Sequence, residues 1–505
     1  MERFVKRHQH RIVGTIAGFD RVLFRGNLSS LCYNQGLEIF LTVQKVRFKD
    51  FGEYATKLSA QIKAHAEGMA QKHNRPCRYL ESSRVSKEDV AREIMQEDGI
   101  TEGLICVLTC VEPCLTYSIR KDRQTGRLAF KGTERKCLFI YYYYIDRDFG
   151  LMHVRLQTWL PFTIQVCING REWLARQMDR AGIGYTQRDN CFTQIEDLAT
   201  AQRLMDRLID RKWGGFLNSL AQKVNPIIRP EAGLKLKGYY WMIREGEFAT
   251  DVMFKDAQSL ADVYPALIRH AIEQFSTEDV LRFFGRRITS RFNGEISSNL
   301  KKRVDGVRVK HWFQENSIKM YDKQGSVLRI ETTINNPRRF KVRRATGWIP
   351  LRKGIVDLKR RVELSRSANK RYLEALAVVG EPTPSHRLLD RVSKRVITKG
   401  RTYRALQPIS RSESRAFEVL LKGEFFIQGF RNADLRTELE PSAEADPIKK
   451  RKASARISRL LRLFRAHRLI YKVPKTNYHR ITMKGHEIMT TATKFRSTNI
   501  ALLAT

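Results

Sequence analysis

Residues 317–334 constrain the fold most strongly, because polar and apolar side chains alternate there on both sides of a tight turn. The turn lies at Gln324, Gly325 and Ser326, so the pattern predicts a β-hairpin. Residues 307–313 predict a third strand ahead of the hairpin. One face of the resulting meander is apolar and holds Leu328, Ile330, Thr332 and Ile334.

The opposite face of this meander is predicted to carry many cations, one phenol and one carboxylate. Its members are Arg308, Lys310, Lys319, Tyr321, Lys323, Arg329 and Glu331. Guanidinium and ammonium groups in such number suit a phosphate backbone, so we predict that Lys319, Lys323 and Arg329 contact nucleic acid.

The charge of the whole chain points in the same direction. The 505 residues include 93 Lys and Arg against 53 Asp and Glu, which gives a formal net charge of +40. Self-repulsion on this scale opposes a compact fold, so we expect a polyanionic partner and favour nucleic acid. We expect no membrane partner, because we find neither an amphipathic anchor nor a lipidation motif.

The sequence also predicts a cytoplasmic protein. Its first residues lack the apolar core of a secretory signal, and it has no apolar run of the length that spans a membrane. Eight cysteines in a chain of this length do not make a disulfide framework. The spacing of Cys106, Cys110 and Cys114 resembles metal-ligand spacing, but a strand pattern there favours buried thiols.

The pattern of elements predicts an α+β fold with a mixed, mainly antiparallel central sheet surrounded by helices. We assign residues 1–100 to an N-terminal mixed α/β region and residues 101–380 to a central sheet-and-helix body with the basic meander at 305–344. Two expectations inside these regions bear on the site. Residues 11–25 predict two strands around a turn at Gly18, Phe19 and Asp20, and residues 195–284 predict a mostly helical section.

Residues 400–495 contain the most specific pattern in the chain. They predict three helices, a β-hairpin and a final helix, at 410–422, 430–439, 454–467, 469–482 and from 484 onward. This order, and the wing-like run from Arg468 to Gly485, resembles a winged helix-turn-helix domain.

The resemblance implies that helix 454–467 is a recognition helix that enters a DNA groove, while the hairpin contacts the backbone. Predicted contacts are then Arg456, Arg459 and Arg462 on the helix and Lys472, Lys475 and Arg480 on the hairpin. A winged helix that binds RNA or another protein remains the alternative.

The meander itself resembles rolling-circle replication initiators of plasmids and filamentous phages. In that family a Tyr-x-Lys strand precedes an Arg-Ile-Glu strand, and this chain has Tyr321, Lys323 and Glu331 in the same arrangement. The resemblance implies that Tyr321 is a nucleophile toward a phosphodiester and that Glu331 holds a divalent cation. The alternative is a structural meander in which Tyr321 and Glu331 pair with each other.

A second candidate for chemistry is Asp20. An acid at a strand end can join Glu331 and a third carboxylate, from Asp251 or Asp357, in a two-metal site of the ribonuclease H type. Asp20 and Glu331 are therefore the predicted metal ligands, with Mg²⁺ or Mn²⁺ as the expected ion. The alternative is that Asp20 caps a turn.

A cluster of arginines and aromatic residues near the predicted central sheet supplies two further candidate contacts. Arg155 and Arg171 lie close in sequence to Trp159, Trp173 and Tyr185, which can stack on bases. The alternative is that the aromatic rings fill the core.

Three functional hypotheses follow from these patterns. The first is a nucleic-acid-binding protein, with DNA favoured, of a mobile element, plasmid or phage-like system. The second is a metal-dependent nuclease or strand-transfer enzyme that uses Tyr321 and Glu331. The third is an RNA-guided or RNA-binding ribonucleoprotein. ATP or GTP hydrolysis is not expected, because the phosphate-binding loop motif is absent from the sequence.

Overall fold

The computed structural model describes the chain except for residues 122, 124–125, 287–294, 304–305, 345–346, 380–384, 399, 423–424, 426–428, 475 and 498–505. The predicted contact Lys475 therefore lies outside the described residues.

The structure is an α+β fold, as predicted, and is built on one large sheet. The described strands are β1 (Ile12–Leu28), β2 (Cys77–Leu80), β3 (Gly103–Lys121), β4 (Leu128–Asp146), β5 (Gly150–Gln157), β6 (Ile164–Asn169), β7 (Tyr185–Arg188), β8 (Cys191–Ile195), β9 (Tyr239–Phe254), β10 (Ile296–Arg303), β11 (Gly306–Phe313), β12 (Asn316–Lys323), β13 (Val327–Thr333), β14 (Lys341–Arg344), β15 (Gly347–Pro350), β16 (Val396–Thr398), β17 (Arg401–Tyr403), β18 (Ile470–Lys472) and β19 (His479–Ile481). Eleven of them form the large sheet in the order β10-β11-β12-β13-β9-β1-β6-β5-β4-β3-β2. Neighbours pair antiparallel except β2 and β3, which are parallel.

The described helices surround this sheet and form most of the C-terminal part. They are α1 (Glu2–Arg7), α2 (Asn34–Val43), α3 (Phe51–Lys72), α4 (Lys87–Glu97), α5 (Gly170–Ala181), α6 (Leu198–Asp210), α7 (Trp213–Val224), α8 (Ala257–Ala261), α9 (Tyr264–Glu273), α10 (Thr277–Phe283), α11 (Leu358–Leu376), α12 (Ser385–Asp390), α13 (Arg411–Leu421), α14 (Asn432–Leu439), α15 (Pro447–Ala466) and α16 (Met483–Ser497). Within the part of the chain that the structure describes, no helix is long and apolar enough to cross a membrane.

The middle of the sheet departs from the sequence-based expectation at two strands. The predicted turn at Gly18, Phe19 and Asp20 is wrong, because β1 runs without a turn over 17 residues. The predicted helical section at 195–284 is wrong in part, because it contains the 16-residue strand β9. These two long strands pair along almost their whole length, and they place residues 1–100 in the same sheet as residues 101–380.

The predicted meander is confirmed, including its register. Lys319 lies opposite Glu331, and Tyr321 lies opposite Arg329 on one side and Arg308 on the other. Leu328 and Ile330 point into a hydrophobic core that they share with α9, α10 and α11. Because side chains alternate along a strand, the polar residues between them must face the other side of the sheet.

Helix α11 fixes the position of the central strands from the apolar side. The Asn369 side chain lies on this helix and is fully buried. Its Nδ2 donates hydrogen bonds to the carbonyl oxygens of Phe248 in β9 and Ile330 in β13, at 3.1 and 3.0 Å. One buried amide therefore bonds to both strands that carry Glu247 and Glu331. These hydrogen bonds hold the strands in place, because leaving the buried amide unpaired would cost free energy.

The C-terminal part has a separate hydrophobic core, formed by residues between Leu388 and Ala492. Three helices, the β18–β19 hairpin and α16 follow one another in the predicted order. Ile457, Leu461 and Phe464 of α15 are buried in this core. The remaining face of α15 carries exposed arginines, including Arg459 and Arg462.

Candidate functional site

Three carboxylates from three adjacent strands meet on the polar side of the sheet. Asp20 comes from β1, Glu247 from β9 and Glu331 from β13. Each offers one oxygen, and these oxygens lie within 4.8 Å of one another. We call Asp20, Glu247 and Glu331 the carboxylate cluster. It contains both predicted metal ligands, Asp20 and Glu331, and adds Glu247 as the third acid.

A β-bulge brings Asp20 into the cluster. Phe19 pairs with Phe248 and Arg21 pairs with Glu247, so Asp20 is the extra residue between two regular pairs. Phe19 and Val22 are buried in the hydrophobic core. The bulge therefore places Asp20 and Arg21 together on the polar side of the sheet, where strict alternation would allow only one of them.

Lys319 and Tyr321 complete the immediate surroundings of the cluster. Lys319 Nζ lies 2.5 Å from Glu331 Oε1 and 3.4 Å from Glu247 Oε1. The Tyr321 hydroxyl donates a hydrogen bond of 2.8 Å to Glu331 Oε2. Asn190 Nδ2 donates one of 2.5 Å to Asp20 Oδ1 from the turn between β7 and β8. The pairing of Tyr321 with Glu331 is thus present, and it occurs beside two further acids.

Burial raises the pKa values of two of the three acids in the cluster. Burial, together with the nearby Glu331 carboxylate, raises the pKa of Glu247 to about 7. Burial also raises the pKa of Asp20 above its usual value, although Arg329 and Arg171 act against it. Both shifts favour the protonated acid, so a bound cation would stabilise the ionised cluster.

The pKa values of Glu331 and Tyr321 shift in opposite directions. Burial alone would raise the pKa of Glu331, but Lys319, Tyr321 and Arg329 together outweigh burial and keep that pKa below its usual value. Burial and the Glu331 carboxylate raise the pKa of Tyr321 well above 10. Glu331 is therefore an ionised acceptor, and Tyr321 is a neutral phenol that donates to it.

A layer of buried ion pairs supports the cluster from behind. Arg329 binds Asp251 through two hydrogen bonds of 2.6 and 2.9 Å and lies 3.0 Å from Asp20 Oδ1. Arg171 lies 2.9 Å from the same Asp251 carboxylate. The two arginines are 1% and 0% exposed. The predicted nucleic-acid contacts Arg329 and Arg171 are therefore corrected, because their guanidinium groups are enclosed by protein and orient carboxylates instead.

The remaining meander contact, Lys323, lies at the edge of the site. Its Nζ is 2.5 Å from Asp189 in the β7–β8 turn, and the side chain is partly exposed. The same turn supplies Asn190, whose backbone carbonyl accepts a 2.7 Å hydrogen bond from Arg329. Lys323 thus helps to hold the turn that positions Asn190 against Asp20.

The cluster lines one end of a cavity of about 660 Å³. The other walls come from α4, the sheet strands β4 to β6, α5 and the β7–β8 turn, through residues such as Arg92, His153, Cys167 and Arg176. Asp20 and Glu331 are 7% and 1% exposed. A ligand that touches the cluster must therefore enter the cavity rather than lie on a flat surface.

The donor set fits a hard divalent cation. Three carboxylates and a phenol offer oxygen ligands, which Mg²⁺ and Mn²⁺ prefer, and no thiol or imidazole belongs to the group. The two other acids considered from the sequence have different roles. Asp251 is held by two arginines, and Asp357 accepts a 2.9 Å hydrogen bond from the backbone of Arg352.

The remaining predicted residues lie elsewhere. Arg155 stacks on Phe139 and binds the buried Glu112 at 2.5 Å, so it supports the sheet. Trp173 is buried, which confirms the core alternative for that ring. Cys106, Cys110 and Cys114 are buried free thiols, as the strand pattern favoured. The C-terminal candidates Arg456, Arg459, Arg462, Lys472 and Arg480 are exposed on α15, β18 and β19.

Glu247 is the site residue that the sequence analysis missed. The signal was available, because Tyr239–Phe254 is rich in aromatic and β-branched residues and places Glu245 and Glu247 on alternate positions. With β9 recognised as a strand, Glu247 would have stood beside Asp20 as a candidate acid.

No family model, curated protein or solved structure matches this chain significantly. The arrangement of its own side chains is therefore what supports a function.

Proposed function

We propose that this protein is a divalent-metal-dependent enzyme that cleaves phosphodiester bonds in nucleic acid, with DNA favoured. The observation that carries the proposal is the convergence of Asp20, Glu247 and Glu331 within 4.8 Å, beside Lys319 and Tyr321. The net charge of +40 supports a polyanionic substrate. The exposed arginines of α15 support docking of a duplex by the C-terminal part, in line with its resemblance to a winged helix.

The roles of the residues follow from their contacts. A bound Mg²⁺ or Mn²⁺ supplies charge stabilisation and an acidified water. Asp20, Glu247 and Glu331 would hold the cation, and Arg329 keeps the Asp20 carboxylate in place. Lys319 can stabilise the additional negative charge on the phosphate, and Tyr321 orients Glu331. In the reaction, the water oxygen bonds to phosphorus and releases a proton to solvent, the bond to one sugar oxygen breaks, and that oxygen takes up a proton from solvent.

A second candidate mechanism uses Tyr321 itself as the nucleophile, as the resemblance to rolling-circle initiators implies. Its hydroxyl lies 2.8 Å from a carboxylate of the cluster, which favours the idea. The raised pKa of the phenol disfavours it, because the phenolate is the reactive form. We therefore propose water as the nucleophile and keep Tyr321 as the alternative nucleophile.

The test is cleavage of supercoiled plasmid, labelled single-stranded DNA and labelled RNA with Mg²⁺ or Mn²⁺. We expect metal-dependent cleavage that Glu331→Gln and Glu247→Gln each reduce by at least about 100-fold. Glu245→Gln is the matched control, because Glu245 lies two residues from Glu247 but outside the cluster. Absence of cleavage of all three substrates by the wild-type protein would rule out the enzyme.

Tyr321→Phe separates the two mechanisms. Loss of an orienting hydrogen bond should slow hydrolysis by about tenfold. A nucleophilic Tyr321 would instead give a covalent protein–DNA product on a denaturing gel, and Phe would abolish both that product and cleavage.

A further inference from the structure

A pair of arginines lies on two of the three strands that carry the carboxylate cluster. Arg25 follows Asp20 along β1, and Arg244 precedes Glu247 along β9. Arg244 is the extra residue of a second β-bulge, because Leu23 pairs with Glu245 and Phe24 pairs with Ile243. Each strand therefore contributes one acid to the cluster and one guanidinium group further along.

Both arginines lie on the polar side of the sheet. Val22, Phe24 and Leu28 are buried in the core, so Arg21 and Arg25 point away from it. Arg25 lies four positions after Arg21 along β1, which corresponds to about 13 Å. Arg21 itself lines the cavity of the cluster. A chain that extends from the cluster along β1 thus passes Arg21 and reaches Arg25.

This pair differs in its partners from the arginines around the carboxylate cluster and the sheet that were described above. Arg155, Arg171 and Arg329 each bind a carboxylate. Neither Arg25 nor Arg244 forms an ion pair with any acid among the described residues, and the Arg25 Nε donates a hydrogen bond of 3.2 Å to the neutral Asn27 side chain. Arg25 is half-buried and Arg244 is exposed.

The electrostatic surroundings of Arg25 are unfavourable for a cation. Burial lowers the pKa of Arg25, and the guanidinium groups of Arg244 and Arg155 lower it further. Half-buried cations that repel one another are stabilised when an anion binds between them. The planar guanidinium group matches phosphate oxygens in two parallel hydrogen bonds, which makes phosphate the natural anion.

We infer that Arg25 and Arg244 form a phosphate-binding subsite for a single nucleic-acid strand whose next part enters the cavity of the carboxylate cluster. This inference rests on the proposed function and specifies its substrate. The cluster is almost fully buried, so the substrate must present a flexible strand rather than an intact duplex at this point. Duplex regions would be held elsewhere, by the exposed face of α15.

The experiment measures binding of fluorescein-labelled single-stranded hexanucleotides, one DNA and one RNA, to the full-length protein by anisotropy. EDTA is present, so that neither cleavage nor a metal contributes. We expect Arg25→Gln/Arg244→Gln to bind about tenfold more weakly, with a salt dependence reduced by about 0.7 to 1.4 in log–log slope. Arg120→Gln, an exposed arginine on β3, should behave as wild type.

Two further variants guard against trivial effects. Arg25→Lys/Arg244→Lys keeps both charges and should recover most of the affinity, which a folding defect would not allow. The single variant Arg244→Gln changes an exposed side chain and should fold normally, yet still weaken binding. Equal affinity of the double Gln variant and the Arg120 variant would overturn the subsite.

The outcomes also separate this inference from the proposed function. Suppose that the wild-type protein shows metal-dependent cleavage and the double Gln variant binds as tightly as wild type. This result would reject the phosphate-binding subsite but support the proposed enzyme. Loss of binding in that variant, combined with a wild-type protein that cleaves nothing, would support the subsite and reject the enzyme.

Discussion

Lys319 and Glu331 lie opposite each other on β12 and β13, and the ammonium nitrogen of Lys319 approaches Glu331 Oε1 to 2.5 Å. The same nitrogen lies 3.4 Å from Glu247. The lysine therefore occupies the position of a counter-ion within the carboxylate cluster. A divalent cation and this ammonium group compete for the same oxygens, and the competition leads to the first prediction.

Lys319→Met should bind Mn²⁺ more tightly and cleave more slowly. Removal of the competing ammonium group leaves the carboxylates to the metal, and we expect affinity to rise by about tenfold, or about 1.4 kcal/mol. The variant also lacks the ammonium group that stabilises negative charge on the phosphate, and this loss should reduce cleavage on the order of 100-fold. Calorimetric titration with Mn²⁺ measures the first effect, and Lys323→Met, on the same strand but paired with Asp189, is the control.

The contribution of Glu247 to the stability of the metal-free protein should fall as the pH rises from 5 to 7.5. The pKa of Glu247 is raised to about 7 in the folded state, so the folded protein holds a proton that the unfolded chain has already lost above about pH 4.5. The expected loss is at most about 3 kcal/mol. Urea unfolding in EDTA at several pH values measures it.

Glu247→Gln is the control for this pH dependence. The amide has no proton to lose, so the wild-type protein should lose stability relative to this variant as the pH rises. The comparison removes the opposite effect of histidines whose pKa values are lowered by burial, such as His153 and His311. A wild-type protein that does not lose stability relative to Glu247→Gln between pH 5 and 7.5 would contradict the prediction. Mn²⁺ should stabilise the wild-type protein increasingly above pH 7, because deprotonated carboxylates bind the cation.

Arg329→Met should destabilise the fold by about 3–5 kcal/mol, because it leaves Asp251 and Asp20 buried without their shared cation. Arg21→Met removes a guanidinium group from the same site, but that side chain is 53% exposed, and we expect a change below about 1 kcal/mol. Urea denaturation of both variants gives the comparison. Similar losses of unfolding free energy in the two variants would show that the buried ion pairs of Arg329 do not stabilise the fold.

Arg459→Ala/Arg462→Ala should weaken duplex DNA binding about tenfold and reduce its salt dependence. Both side chains are exposed and donate hydrogen bonds to carbonyl groups of their own helix. Arg456→Ala should have a smaller effect, because Arg456 is already paired with Glu440. Anisotropy with a labelled duplex at several salt concentrations measures both. The reverse order would contradict a role for this face of α15.

Local patterns predicted the elements that depend on neighbouring residues. Alternation in residues 317–334 predicted the hairpin and its register. The order of helices and hairpin after residue 400 was also predicted. These features depend on side-chain periodicity and on hydrogen bonds over a few residues, which any sequence displays directly.

The carboxylate cluster required the tertiary structure. The sequence by itself determined the cationic composition, the meander and the presence of Asp20 and Glu331 as acids on strands or turns. Only the tertiary structure decided that β13, β9 and β1 are neighbours, that a bulge turns Asp20 toward Glu331, and that Glu247 is the third acid. It also decided that Arg329 and Arg171 are buried. Strands distant in sequence become neighbours through packing of the whole core, and no local pattern records that pairing.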